Sequence, residues 1–251
     1  MNWFFKSRSK QKISLEDLIS CLQVDAHSHL LPAIDDGATN LEDSILLIRG
    51  LVELGFKKII TTPHVHPAYY PNTSKKIIAK EAEVKEELKN LQLNTPFSAA
   101  AEYYFESKLI EKHHEKNAFL YVQNPYVLIE FDMQQAPHPS WKEIFFELQL
   151  RGISIILAHV ERYSYQMGKL KWIEDLKNMG VILQLNLGSL IGNYGSPTEK
   201  WALKLLNQGL IDVLCTDLHN LNQLKSFQKH LNKVLVLDKQ LDPNHFNSLL
   251  K

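Results

Sequence analysis

Val24-Asp25-Ala26-His27-Ser28-His29 is the stretch where an apolar run, Cys21 to Val24, stops at paired imidazoles. Residues two apart in a strand point to the same face, so His27 and His29 read as two nitrogen ligands side by side at a strand end. Among eleven histidines a His-x-His pair arises easily by chance. This one carries weight because the ending recurs. Apolar runs also close at Thr62-Pro63-His64, Ala101-Glu102, Ile129-Glu130, Ala158-His159 and Thr216-Asp217-Leu218-His219. Six such endings in register with a strand and helix rhythm read as one site.

Outward from that stretch, strands are expected over Cys21–Val24, Lys58–Thr62, Phe97–Ala101, Tyr126–Ile129, Ile153–Ala158, Val181–Leu187 and Asp212–Thr216. Ile153–Ala158 is nearly continuous in apolar residues, as buried parallel strands tend to be. Helical spacing fills the gaps. A short helix over Ile13–Leu22 is capped by Ser14, and Thr39-Asn40-Leu41-Glu42 reads as a capping box for a helix reaching Leu54 and Gly55. Further helices are expected over Ser74–Leu91, Ser107–Lys116, Ser140–Leu150, Leu170–Met179 and Pro197–Leu206, with one or two more from Asn220 onward. Seven strands, each followed by a helix, describe a single-domain α/β protein, a closed or nearly closed parallel barrel. Such a barrel gathers the carboxyl ends of all its strands at one rim, where active sites are built. The expected division is an N-terminal tail and short helix over 1–22, then a barrel domain over 23–251.

Bulk properties narrow the function. Lys plus Arg and Asp plus Glu both number 28, which excludes the basic balance of a nucleic-acid binder. No stretch approaches the ~20 apolar residues of a membrane span, so a cytoplasmic protein is expected. Met1-Asn2-Trp3-Phe4-Phe5, followed by Lys6, Arg8, Lys10 and Lys12, places aromatics before charges, the reverse of a signal peptide. It reads as a tail with at most transient contact to an anionic membrane surface. Cys21 and Cys215 both lie in apolar runs and are expected as buried thiols in a reducing compartment. Neither is followed six positions later by arginine, so the thiolate phosphate loop of cysteine-based phosphatases is absent.

His27, His29, His64, His159, His219, Glu102, Glu130, Asp217 and one or both of Asp35 and Asp36 are too many ligands for one ion. Two or three divalent ions are implied, and mixed imidazole and carboxylate suits Zn, Mn or Fe better than Ca or Mg. Such clusters lower the pKa of bound water toward ~7 and stabilise entering and leaving oxygens in hydrolysis. Arg162, three residues beyond His159, stands at the same rim with a planar fork suited to a tetrahedral anion. His66 is expected at the surface or behind the ligands, and His113, His114, His230 and His245 on helix surfaces. His138 lies in a loop that could overhang the site. Tyr69, Tyr70 and Tyr103 could wall a pocket or simply pack.

The strings Asp25-Ala26-His27-Ser28-His29-Leu30-Leu31-Pro32-Ala33-Ile34-Asp35-Asp36-Gly37, Thr61-Thr62-Pro63-His64, Leu128-Ile129-Glu130-Phe131, Ala158-His159-Val160-Glu161-Arg162-Tyr163 and Asp217-Leu218-His219-Asn220 resemble the metal-dependent bacterial tyrosine phosphatases of the polymerase and histidinol phosphatase superfamily. The resemblance extends from Val24 to the last helix. It implies a distorted (β/α)7 TIM-like barrel and a trinuclear site usually supplied with manganese. It also implies phosphotyrosine hydrolysis on the tail of a membrane-linked tyrosine kinase that controls capsule or exopolysaccharide synthesis. Carried over, the ligand positions fall on His27, His29, Asp36, His64, Glu102, Glu130, His159, Asp217 and His219, and the phosphate-binding arginine on Arg162. Relatives often carry a second arginine where this chain has Leu224 followed by Lys225, and Lys225 offers a point charge without a bidentate fork. The alternatives are a phosphatase acting on histidinol phosphate or another small phosphomonoester, and a catalytically inert binding module.

Overall fold

A ring of parallel strands organises the computed structural model, which describes residues 10–106, 119–237 and 242–251. Strand β2 (Val24–Asp25) pairs with β3 (Lys58–Thr61), and β3 pairs with β5 (Phe97–Ala99). Pro63 has no N–H to give a ladder, and beside it the second strand breaks into β3 and β4 (His64–Val65). The third breaks at Ala100-Ala101 into β5 and β6 (Glu102–Tyr104). The amides of Ala100 and Glu102 donate to the carbonyls of Thr61 and Pro63 at 2.8 and 3.1 Å, carrying the ladder across both breaks. From β4 it continues through β6, β7 (Tyr126–Glu130), β8 (Ser154–Leu157), β9 (Ile182–Asn186) and β10 (Val213–Cys215). Closure comes from a parallel bridge between Ser28 and Leu218, with His29 N donating to Leu218 O and Asp217 N to His27 O. Seven strand positions thus close into the expected distorted barrel.

Helices α1 (Leu15–Leu22), α2 (Leu41–Leu54), α3 (Ser74–Asn90), α4 (Trp141–Leu150), α5 (Leu170–Asn178), α6 (Leu187–Leu190), α7 (Ser196–Gln208) and α8 (Leu221–His230) surround the ring. The larger apolar cluster lies between strands and helices. A smaller one, including Val24, Ala26, Ile60, Ala100, Leu128, Ile156, Ala158, Val213 and Cys215, fills the ring itself. Ser14 caps α1 as expected, but the helix begins at Leu15. The cap of α2 is Asn40, whose side chain accepts from Asp43 N, rather than the Thr39 and Glu42 box. At its other end Gly55 takes φ 117, a left-handed closure that any side chain would strain.

The chain ends are arranged differently from expectation. β1 (Gln11–Ser14) pairs antiparallel with β11 (Val234–Leu237), where a tail leading into the first helix, and one or two helices from Asn220 onward, had been expected. The Val-Leu-Val-Leu alternation, with Leu235 and Leu237 buried and the valines exposed, is the period-two signal of a half-buried strand. Cys215 is buried, but Cys21 is only half-buried. Residues 1–9, with the aromatic and basic start, and the helix expected from Ser107, with His113 and His114, lie outside the described residues. Among the described residues no helix is long and apolar enough to cross a membrane.

Candidate metal centre

Strand alternation delivers most of the site. Ile60, Ala100, Leu128 and Cys215 point into the ring, so two residues further along each strand direction His64 sits beyond Thr62, and Glu102, Glu130 and Asp217 follow directly. His159 is out of step with Ile156 and Ala158. Its backbone is left-handed, φ 32, and its Nε2 reaches Glu102 Oε1 at 3.0 Å. Asp217 is likewise left-handed, φ 53. Non-glycine residues held in that region cost free energy and persist where surroundings over-determine them. His27 and His29 are not in a strand at all: β2 stops at Asp25, and both histidines lie in the extended segment that closes the ring. Gly37 supports them, because a Cβ there would lie 2.1 Å from the His29 carbonyl oxygen.

Four overlapping groups result: His29 with Asp36, His64 and His219; His27 with His29 and Asp217; His27 with Glu102 and His159; and His64 with Glu102 and Glu130. Within each group the ligand atoms lie within 4.8 Å of one another. Glu102 is central. Its Oε2 lies 3.3, 3.4 and 3.1 Å from His27 Nε2, His29 Nε2 and His64 Nδ1. All nine proposed ligands therefore converge at the rim.

The two aspartates divide. Asp36 is half exposed and lies 3.5 and 3.6 Å from His64 Nε2 and His219 Nε2. Asp35 instead accepts from His29 Nδ1 at 2.8 Å and from His64 N at 3.0 Å. It fixes the His29 tautomer so that Nε2 faces the cluster, the role of an outer carboxylate in metal sites. Gln184 does the same for His27, whose Nδ1 it meets at 3.1 Å, and its Oε1 also accepts from His159 N. Gln184 Nε2 then donates to Asn186 Oδ1, Asn186 Nδ2 to Asp217 Oδ2, and Arg162 Nη1 to that same oxygen at 3.0 Å. Sequence reasoning passed over Gln184 and Asn186. Their signal was present as two polar residues at period two inside the apolar run Val181–Leu187.

Electrostatics identify what the centre is built to hold. Burial opposes the charge on Glu102 and Asp217, yet His27 with His64, and His27 with His219, hold both carboxyls well below the usual range. Burial likewise opposes a proton on His27, but Glu102 and Asp217 raise its pKa to about 9. Asp35 is lowered to about 2 against its burial by His29. The buried carboxylates thus demand positive charge. His27 Nε2, His29 Nε2 and Glu102 Oε2 are buried without a hydrogen-bond partner. Orphaned imidazole and carboxylate atoms facing one another fit divalent cations of the Mn, Fe or Zn class.

The cleft above has a volume of about 380 Å³, at the small end of ligand pockets. Asp36, His64, Glu102, Glu130, His159, Asp217 and His219 line it with Arg162, Met133, Tyr194, Asn220 and Gln223. Lys225 is not brought there. It is exposed on α8, while Gln223 of that helix lines the cleft and accepts from His219 N at 2.6 Å. Tyr70 stacks on His64 at 5.5 Å and Tyr69 is exposed, whereas Tyr103 packs in the core against Phe119. His66 is half-buried and stacked on Tyr104; His138 and His245 are exposed and His230 half-buried on α8, all outside the ligand groups.

The chain is similar to known proteins in sequence and in fold. The family described as capsular polysaccharide synthesis, CpsB/CapC, matches residues 23–248. The tyrosine-protein phosphatase YwqE of Bacillus subtilis is 30% identical over 221 residues, covering 86% of this chain and 84% of YwqE. The tyrosine-protein phosphatase CpsB of Streptococcus agalactiae is 27% identical over 223 residues, covering 86% and 90%. Among solved structures, one from the pair YwqE of B. subtilis and CpsB of Streptococcus pneumoniae, both metal-dependent tyrosine phosphatases, superposes with a TM-score of 0.74. That pairing has 26% identity and covers 84% of this chain and 88% of the other.

Proposed function

This chain belongs to the CpsB/CapC family of capsular polysaccharide synthesis and is, with it, a metal-dependent tyrosine phosphatase, and we propose that its substrate is phosphotyrosine on the tail of a membrane-linked bacterial tyrosine kinase. The proposed reaction takes place in the cytoplasm. The observation that carries this reading is the convergence of four overlapping His and carboxylate clusters at one rim, two of them sharing Glu102, with Arg162 beside them in the same cleft.

His27, His29, Asp36, His64, Glu102, Glu130, His159, Asp217 and His219 would hold two or three divalent ions, with manganese the proposed metal. Bound there, such ions supply Lewis acidity at the phosphoryl oxygens and lower the pKa of water. Arg162 spends one donor on Asp217 and offers the rest of its fork to phosphoryl oxygens. Asp35 and Gln184 hold His29 and His27 in the tautomers whose Nε2 atoms face the cluster. A phenolate is a fair leaving group, so no dedicated proton donor is required of the chain.

The test is phosphate release from a phosphotyrosine peptide and from histidinol phosphate in parallel, with and without manganese and after chelation. Peptide turnover lost on chelation and restored by manganese is expected. Turnover of histidinol phosphate alone would replace the reading with a small-molecule phosphatase, and turnover of neither would leave a binding module.

A further inference from the structure

Arg162 is the cation to which the proposed phosphoryl contact falls, yet its guanidinium has few constraints of its own. One hydrogen bond, from Nη1 to Asp217 Oδ2 at 3.0 Å, holds one corner. A single bond leaves the plane free to swing about it. What closes that freedom is the ring of Tyr194, whose centroid lies 4.2 Å from Arg162 Cζ. We infer that Tyr194 is a positioning residue for the phosphatase reaction: its ring stacks against the Arg162 guanidinium and aims the unused N–H donors into the cleft. The inference rests on the reading of Arg162 as the phosphate-binding cation.

The surroundings of Tyr194 bear this out. Its ring lies in the segment between α6 and α7, and it lines the cleft. Gly188 lies beneath it. That glycine is helical with no left-handed backbone to require it, and a Cβ there would lie 3.2 Å from Tyr194 Cε2 and 3.3 Å from Asn193 Nδ2. The missing side chain makes room for the ring. Asn193 is tied at both ends: its N donates to Gly188 O at 3.0 Å, and its Oδ1 accepts from Ser226 Oγ on α8 at 2.7 Å. The segment carrying Tyr194 is therefore anchored to two helices. A guanidinium over an aromatic face gains cation–π attraction, more when shielded from water, and Arg162 is only one-quarter exposed. Asn186 and Arg162 both donate to Asp217 Oδ2, so the arginine cannot follow substrate without leaving that shared oxygen. The stack holds it while both contacts are made.

The experiment is a double-mutant cycle on the manganese-loaded enzyme, comparing Y194F, Y194L, R162A and R162A/Y194L. Metal content, kcat/KM for a phosphotyrosine peptide and calorimetric affinity for inorganic phosphate are read for each. Y194L is expected to keep its manganese and lose about tenfold in kcat/KM and in phosphate affinity. Y194F, which keeps the ring, restores most of both. In the R162A background Y194L costs nothing further, because the group it positions is gone. Should Y194L not fold, Y194M fills similar volume without a ring and takes its place. An equal loss from Y194L with and without Arg162 would overturn the inference, as would a Y194L enzyme with wild-type phosphate affinity. If R162A itself is indistinguishable from wild type, the reading of Arg162 falls and this inference falls with it.

Discussion

Arg162 and Lys225 separate two ways a cation can be written into a sequence. Arg162 reaches the cleft because the turn beginning at left-handed His159 carries it there, and Asp217 receives it. Lys225 follows the last ligand by six positions but sits on the exposed side of α8. Arg162→Ala should leave bound metal intact while kcat/KM for a phosphotyrosine peptide falls by about 10²-fold, the usual cost of a lost charge-stabilising donor. Lys225→Ala should stay within about twofold of wild type, and steady-state kinetics beside metal analysis check both. Gln184 is a different case, since it touches no candidate ion site atom that faces the cluster. It holds His27 by the opposite nitrogen and steadies His159 through its backbone. Gln184→Leu removes that hold at nearly constant volume and should weaken metal affinity about 10- to 100-fold, as losses of such outer partners do. A competition titration with a fluorescent chelator would measure it.

At the scale of elements, the barrel closes outside its named strands, through the Ser28 and Leu218 bridge and through one side chain. Between β2 and β10 the ladder is thin, and Asn247 fills the gap. Fully buried and left-handed at φ 58, it donates through Nδ2 to Val24 O and Leu214 O, each at 2.8 Å, and accepts through Oδ1 from Leu214 N. One side chain thus imitates a strand's edge toward both neighbours. Asn247→Ala strands those backbone groups without water, and at ~1 kcal/mol per lost bond the cost is roughly 3 kcal/mol. Chemical denaturation should show it as a lower midpoint with an unchanged slope. The β1 and β11 ribbon also ties the start of the described chain to the segment after α8, beside Leu15 N and Glu16 N, which donate to Lys233 O and Leu231 O.

For the whole molecule, the centre couples metal loading to protons. Without metal, His27 carries a pKa raised to about 9 from its ordinary 6.5, so the folded state holds a proton that the unfolded state releases between those values. Stability from that group is complete below about 6.5 and is lost as pH rises toward 9. Metal requires the neutral imidazole and expels the proton. The melting temperature of chelated protein should therefore fall over this window while the gap to manganese-loaded protein widens, and scanning calorimetry at several pH values would show it. A constant gap would mean that His27 does not exchange its proton for metal. The barrel class and eight of the nine converging residues were legible from residue type and strand-end position, because period two and the parallel barrel's single rim leave such endings nowhere else to go; between Asp35 and Asp36 those signals left the choice open. Gln184, Asn186 and Tyr194 were not legible, since each acts through a neighbour distant in the chain, and Asp35 was legible as a candidate ligand but not as the carboxylate that holds His29. The terminal ribbon escaped for a related reason: a strand exists only with its partner, and Gln11 and Leu237 meet only once the barrel has closed. Sequence by itself determined the ligand chemistry and the architecture that gathers it, through local periodicity. Only the tertiary structure decided which aspartate faces the cluster, which cation enters the cleft and what holds it there, because those depend on side-chain directions set by contacts across the ring.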